Sequence, residues 1–196
     1  MTQTRPRGRL QFLLLAALFF APLLAAVLLY FVFPQWTPSG RVNKGELIDP
    51  ARPIPVIEAL DESGQPAGER VLRGRWSYVF VAGEQCDAAC ADKLHQIRQI
   101  RTLLNEKRLR VRRVYLAPTP AAAAAAHAQL AAEHPDLEFL SDTPDAIYRH
   151  FFEGGDAQAL YLVDPLGNWL MRYAGDADSN DILRDIRKLL RVSQIG

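Results

Sequence analysis

The hydrophobic residues of this chain form one long uninterrupted run followed by several shorter periodic segments. The run covers residues 12–33, FLLLAALFFAPLLAAVLLYFVF, and contains no charged side chain. A helix of this length spans the hydrocarbon core of a membrane, which is about 30 Å thick, and a membrane helix tolerates the internal Pro22. The run therefore predicts a transmembrane helix, and a cleaved signal peptide is the alternative interpretation.

The residues on either side of this run predict its orientation. Residues 1–11 contain Arg5, Arg7 and Arg9 and no acidic residue, and positive charge before a first membrane helix favours a cytoplasmic N-terminus. The rest of the chain is then expected on the outer side of the membrane. Residues 34–53 are rich in proline, glycine and polar residues, which predicts a linker without regular structure.

Residues 54–196 alternate between strand and helix patterns. The segment 76–81 is rich in aromatic and β-branched residues, which is typical of a buried strand. Thr119 before Pro120 predicts the start of a helix, and the sequence Asp164-Pro165-Leu166-Gly167 predicts a hairpin turn. This alternation predicts one α/β domain whose sheet is covered on both faces. Further strands are expected at 54–60, 110–116, 137–140, 159–163 and 168–173, with another short strand opening at 71–72. Further helices are expected at 120–133, 143–152 and from 179 onward.

The segment after the strand 76–81 contains both cysteines of the chain. Cys86, Cys90 and the apolar residues that follow them recur at steps of three or four, so a helix is predicted from Cys86 to about Glu106. Both sulfurs would then lie on the face toward the sheet, at a helix N-terminus. Unpaired N–H groups and the helix dipole stabilise thiolates at such a position.

Composition narrows the classes of function. The formal net charge of +1 argues against nucleic acid as a partner. Two cysteines are too few for the disulfide framework of a small secreted protein. The two cysteines are close in sequence, so three local roles are open to them: they bind a metal ion, they exchange a disulfide with a partner, or they form a disulfide across one turn of the chain. A link across one turn closes a very small loop and gives little entropic stabilisation.

The order of these elements resembles a thioredoxin-like domain, and its details resemble the Sco/SenC family of cytochrome oxidase assembly proteins. WSYVFVAGEQCDAAC is similar to the family's strand and C-x-x-x-C motif, VRRVYLAPTP to its next strand, and ALYLVDPLGNWLMRYAG to its hairpin. The resemblance implies that Cys86 and Cys90 bind copper. It also implies a single-pass protein of the bacterial inner membrane, with its N-terminus in the cytoplasm and its thioredoxin-like domain in the periplasm.

One position departs from the family pattern. The family's third copper ligand is a histidine ahead of the hairpin strand, and the matching residue in this chain is Asp156. A carboxylate is a hard donor that suits Cu(I) poorly, although it is acceptable to Cu(II) in a mixed site. His150 is the histidine nearest in sequence to that position and is the other candidate for a third ligand.

Three hypotheses follow for the cysteine pair. In the first, the protein is an assembly factor that handles copper for a respiratory cytochrome oxidase, with an oxidase subunit or another copper carrier as its partner. In the second, Cys86 and Cys90 are the catalytic dithiol of a thiol–disulfide oxidoreductase that reduces cysteines of such a partner, with Cys86 attacking and Cys90 resolving. In the third, the pair is a permanent disulfide in a non-catalytic docking module.

Overall fold

The computed structural model of the chain describes residues 6–32, 43–54, 59–68, 71–142 and 158–195. The chain divides into two compact units, residues 1–42 and residues 43–196. The first unit contains helix α1, Pro6–Phe31. Its segment Gly8–Phe31 is long and apolar enough to cross a membrane. The helix overlaps the predicted span 12–33 and begins six residues before it.

The second unit contains a seven-stranded mixed sheet, counted over the described residues. Its strands, helices and 3₁₀ helix follow in chain order: β1 Glu46–Pro53, β2 Ala59–Asp61, β3 Trp76–Val81, α2 Ala88–Thr102, the 3₁₀ helix Asn105–Arg110, β4 Val111–Ala117, α3 Pro120–Leu130, β5 Leu137–Asp142, β6 Leu160–Val163, β7 Asn168–Tyr173 and α4 Ser179–Val192.

The strands lie in the order β1-β7-β6-β3-β4-β5-β2. Strand β4 runs parallel to β3 and to β5, whereas β6 and β7 form the predicted antiparallel hairpin. Strand β3 is central, and all six of its residues are buried. This arrangement confirms the predicted α/β, thioredoxin-like fold class.

The side chains of β3 alternate between the two hydrophobic cores of the unit. Tyr78 and Phe80 belong to the core under α2, α3 and α4. Val79 and Val81 belong to a second core on the opposite face, where Val71 and Leu72 cover the sheet. Both faces are therefore buried as expected, and the helices α2, α3 and α4 all pack on the first face.

The structure corrects three local predictions. Glu46–Pro53 was expected in the linker, yet it forms β1 and pairs antiparallel with β7. The cysteine helix begins at Ala88, so Cys86 precedes it, and the helix ends at Thr102 where Glu106 was expected. Residues 71 and 72, which suggested a short strand, form a turn. The predicted helix at 143–152 lies outside the described residues.

A candidate dithiol site at the start of helix α2

The two cysteines lie on either side of the point where α2 begins. Cys86 is in the loop that leaves β3, Asp87 is the N-cap residue, and Cys90 is in the first turn of α2. The expectation that both cysteines belong to the helix is therefore wrong for Cys86. The signal for the true start was present in the sequence, because aspartate is a preferred N-cap residue.

Cys86 and Cys90 form a disulfide, with their Cα atoms 5.3 Å apart. The structure thus brings together the two side chains that the sequence singled out. Cys86 is 8% exposed and Cys90 is 5% exposed, and both border the helix-covered core. The residues around them, 83–85 in the loop and 87–89 at the start of α2, are exposed. The two buried cysteines are therefore flanked along the chain by exposed residues.

Asp87 sets the electrostatics at this helix end. Its carboxylate accepts a hydrogen bond from the Cys90 N–H at 2.9 Å. This contact satisfies one of the free N–H groups of the first turn and places a negative charge between the two cysteines. The N-terminal field that favours thiolates is therefore partly offset by the capping carboxylate.

Two contacts hold the cysteine loop against helix α3. The side-chain amide of Gln129 donates to the carbonyl oxygen of Cys86 at 3.3 Å. Thr119 donates from its hydroxyl to the carboxylate of Glu84 at 3.5 Å, a distance that marks a weak hydrogen bond. The sequence analysis missed the role of Gln129, since 43 residues separate it from Cys86 and no local pattern joins them.

Lys93 is a second residue near the site that the sequence analysis missed. It lies one turn after Cys90 and is only 3% exposed, which is rare for a lysine. Its ammonium group donates to the carbonyl oxygen of Gly175 at 2.8 Å. This contact connects the dithiol helix to the loop that precedes α4.

The candidates for a third metal ligand, His150 and Asp156, lie outside the described residues. Among the described residues, no group of three His, Cys, Asp or Glu side chains is arranged to hold a metal ion. His95 hydrogen bonds to Gln99 on the exposed side of α2, and His127 packs its ring edge-on against Phe139. His134 is buried, and its burial together with the charges of Arg113 and Arg98 lowers its pKa.

The geometry supports two kinds of chemistry. In the oxidised form, the disulfide can accept two electrons from an attacking thiol or dithiol. In the reduced form, the same positions present two soft sulfur donors one helical turn apart, which is the donor set that selects Cu(I). Among the described residues, no His, Asp or Glu joins the two sulfurs in such a group, so the two sulfurs are the basis of either activity.

A buried sheet with the cysteine pair at the start of its first covering helix defines a thioredoxin-like protein. The family model described as "Transmembrane-like, thioredoxin-like, C-terminal domain" matches residues 76–193, which is more than half of the chain. The corresponding model of a "Transmembrane-like, N-terminal domain" matches residues 2–32. The chain therefore belongs to this transmembrane-like, thioredoxin-like family.

Solved structures of Sco proteins share the fold at low sequence identity. Apo Sco1 of Thermus thermophilus is 18% identical, with a TM-score of 0.59 over 77% of this chain and 99% of that chain. ScoI of Arabidopsis thaliana, solved with copper bound, is 18% identical, with a TM-score of 0.55 over 70% and 97%. BsSco, a Sco-family cytochrome c oxidase assembly protein with a disulfide switch, is 18% identical, with a TM-score of 0.55 over 76% and 99%. These matches confirm the predicted Sco-like fold.

A curated relative adds a short sequence match. A protein of Stutzerimonas stutzeri named "Putative copper-binding protein" is 30% identical over 71 residues, which is 32% of this chain and 35% of that protein. This chain thus spans about a third of the length of the curated relative that it matches.

Proposed function

We propose that this protein is a membrane-anchored assembly factor that handles copper for a respiratory cytochrome oxidase through Cys86 and Cys90. One observation carries the proposal: the only two cysteines of the chain meet at the start of α2, on a Sco-like fold. Two thiolates at one position bind Cu(I) without a third ligand. The copper-bound relative and the name of the curated match support the same metal.

Copper is the cargo in this account, and the redox state of the pair controls its capture. The disulfide has no thiolate to offer, so a partner dithiol must first give it two electrons and two protons, which leaves two thiols here and a disulfide in the partner. Each thiol then loses a proton as Cu(I) binds, and the sulfurs move apart to admit the ion. Transfer to an oxidase subunit or to another copper carrier leaves the dithiol ready to bind again or to be reoxidised.

A competition titration of the reduced full chain in detergent tests this proposal. We expect about one Cu(I) per chain, because the protein contains a single dithiol. Cys86→Ser and Cys90→Ser should each lower the affinity strongly, since one sulfur alone cannot chelate. The copper-handling function would be excluded if the native protein bound no stoichiometric Cu(I). It would also be excluded if the serine variants bound Cu(I) as tightly as the native protein does.

Thiol–disulfide exchange is the second candidate, and two observations favour it. The pair forms a disulfide, and the resemblance to the Sco/SenC family matches Asp156 to the family's histidine ligand. In this reaction the Cys86 thiolate attacks a partner disulfide, breaks its S–S bond and forms a mixed disulfide, while the first partner thiolate leaves. Cys90 then attacks the Cys86 sulfur, the reduced partner thiolate leaves, and the electrons of the dithiol have passed to the partner.

The reduction potential of the pair separates these functions from the third hypothesis, a structural disulfide in a docking module. A functional pair must cycle in its compartment, whereas a potential below about −300 mV marks a bond that resists reduction. We expect a potential above this value. A lower value would leave the docking module as the remaining interpretation.

We also propose the predicted topology, with α1 as a single-pass anchor, its N-terminus in the cytoplasm and the second unit in the periplasm. The charge of residues 1–11 and the exposed apolar surface of α1 support it. Alkaline phosphatase fused after residue 196 should be active, because that enzyme folds only outside the cytoplasm. A fluorescent GFP fusion at the same position would contradict this orientation.

A further inference from the structure

The end of α2 away from the dithiol borders a basic cleft. Its volume is about 710 Å³, and it lies between the residues that follow α2, the 3₁₀ helix and α4. Helix α2 has 15 residues, so the cleft is about 20 Å along the helix from the cysteines.

Positive charge is concentrated around this cleft. Residues 105–110 and 179–192 together contain seven Lys and Arg residues and three acidic residues, although the whole chain has a net charge of only +1. One of the three acids, Asp185, is buried, and another, Asp181, forms an ion pair with Arg184 at 3.6 Å. The cations that line the cleft are Lys107, Arg184, Arg187, Lys188 and Arg191.

Hydrogen bonds fix the walls of the cleft relative to one another. Arg110 donates to the carbonyl oxygens of Leu190, Ser193 and Ile195 at 2.8–2.9 Å, which ties the 3₁₀ helix to the end of α4. Arg187 donates to the carbonyl oxygen of Leu103 at 2.9 Å, which ties α4 to the end of α2. The positive surface is thus preformed.

Exposed apolar side chains surround the same cations. Six large apolar residues are exposed in the described part of the second unit, and four of them lie at this end. A surface that combines lysines and arginines with exposed leucine, valine and isoleucine is typical of contact with a membrane interface. The four residues are Leu103 at 52%, Leu109 at 68%, Val192 at 76% and Ile195 at 55% exposed.

We propose that this end of the second unit binds an anionic bilayer surface. The cations would meet lipid phosphates, and the four apolar side chains would enter the interface beside them. The proposal rests on the membrane anchoring proposed above and does not depend on copper. The anchor proposed above holds the chain at a bilayer, which supplies the lipid phosphates.

Hydrogen–deuterium exchange of the full chain in nanodiscs tests the proposal. Nanodiscs of phosphatidylcholine alone are compared with nanodiscs that also contain anionic phosphatidylglycerol. We expect several-fold slower exchange at residues 103–109 and 187–195 in the anionic nanodiscs. The difference should vanish in about 1 M NaCl, where the screening length falls to about 3 Å.

Matched charge variants assign the effect to this surface. Lys107→Gln, Lys188→Gln and Arg191→Gln, combined in one chain, should abolish the lipid-dependent protection. The control combines Lys44→Gln, Arg52→Gln and Arg75→Gln, which removes three exposed cations elsewhere, and should retain it. The salt response is measured on the native chain, so it remains informative if a variant does not fold.

Three results would overturn the proposal. The first is equal exchange in the two nanodiscs, and the second is the same loss of protection in both triple variants. The third is protection by soluble polyglutamate together with none by phosphatidylglycerol, which would assign the cleft to an acidic polypeptide. None of these results depends on copper, so failure here is separate from failure of the copper titration.

Discussion

Arg113 is a fully buried cation whose charge is neutralised within the second unit. Its guanidinium donates two hydrogen bonds to the carboxylate of Asp136, and Asp136 also accepts one from Arg101 at 2.7 Å. Burial alone would raise the pKa of Asp136. The hydrogen bonds and charge of Arg113, together with the charge of Arg101, outweigh burial and hold this pKa below its ordinary value.

This depressed pKa predicts how acid affects stability. Between the folded and unfolded pKa values of Asp136, the unfolded state binds more protons, so stability rises with pH in that interval. The contribution is present above about pH 4, the ordinary pKa, and is lost as the pH falls through the folded value. Asp136→Asn should therefore lower the free energy of unfolding at neutral pH. The variant's free energy of unfolding should also decrease less than that of the native protein as the pH falls.

Urea unfolding followed by tryptophan fluorescence, repeated from neutral to acidic pH, measures this effect. Asp92→Asn, which changes an exposed carboxylate on α2, is the matched control and should follow the native curve. If the free energy of unfolding of Asp136→Asn depends on pH as that of the native protein does, the Asp136 carboxylate does not contribute as described.

Asp185 is a buried carboxylate that joins α4 to the start of β1. It accepts hydrogen bonds from the backbone N–H groups of Lys44 and Gly45 at 2.8 and 2.9 Å and from the Tyr173 hydroxyl at 3.3 Å. Asp185→Ala leaves these donors without their acceptor, which should cost about 3 kcal/mol of unfolding free energy. Asp181→Ala, in the same helix, should change it by less than about 0.5 kcal/mol. Equal urea midpoints for the two variants would contradict this role.

At the scale of elements, the N-cap of α2 determines where the dithiol helix begins. Asp87→Ala removes the acceptor for the Cys90 N–H and should cost about 1 kcal/mol of unfolding free energy. Asp87→Ser retains a capping oxygen and should restore most of the loss. Urea unfolding of the three proteins measures both changes. An alanine variant as stable as the native protein would mean that the first turn of α2 needs no cap.

The sequence predicted the helices and strands that are determined by residues close together in the chain. Trp76–Val81 is a strand because its side chains fill both cores, and Thr119 caps α3 with Pro120 in the first turn, as expected. Strand β1 was missed because Pro50 and Pro53 read as linker residues. Its partner β7 follows more than a hundred residues later, and an edge strand tolerates proline.

For the whole molecule, alternation of strands and helices predicted the α/β class, and the motifs predicted the Sco-like fold. The edge positions of β1 and β2 were not predictable, because each pairs with a strand distant in sequence. Spacing predicted that Cys86 and Cys90 would be neighbours, and they form a disulfide. The hydrogen bonds of Lys93 and Gln129 near the site could not be predicted from the sequence, because their partners are far along the chain.

X-ray absorption at the copper edge of the reduced, Cu(I)-loaded full chain tests the central claim most directly. The account predicts that copper has two sulfur neighbours, contributed by Cys86 and Cys90. In Cys90→Ser the spectrum should retain at most one sulfur neighbour. A native spectrum with only nitrogen or oxygen neighbours, left unchanged by the serine substitution, would contradict the claim that this dithiol binds the metal.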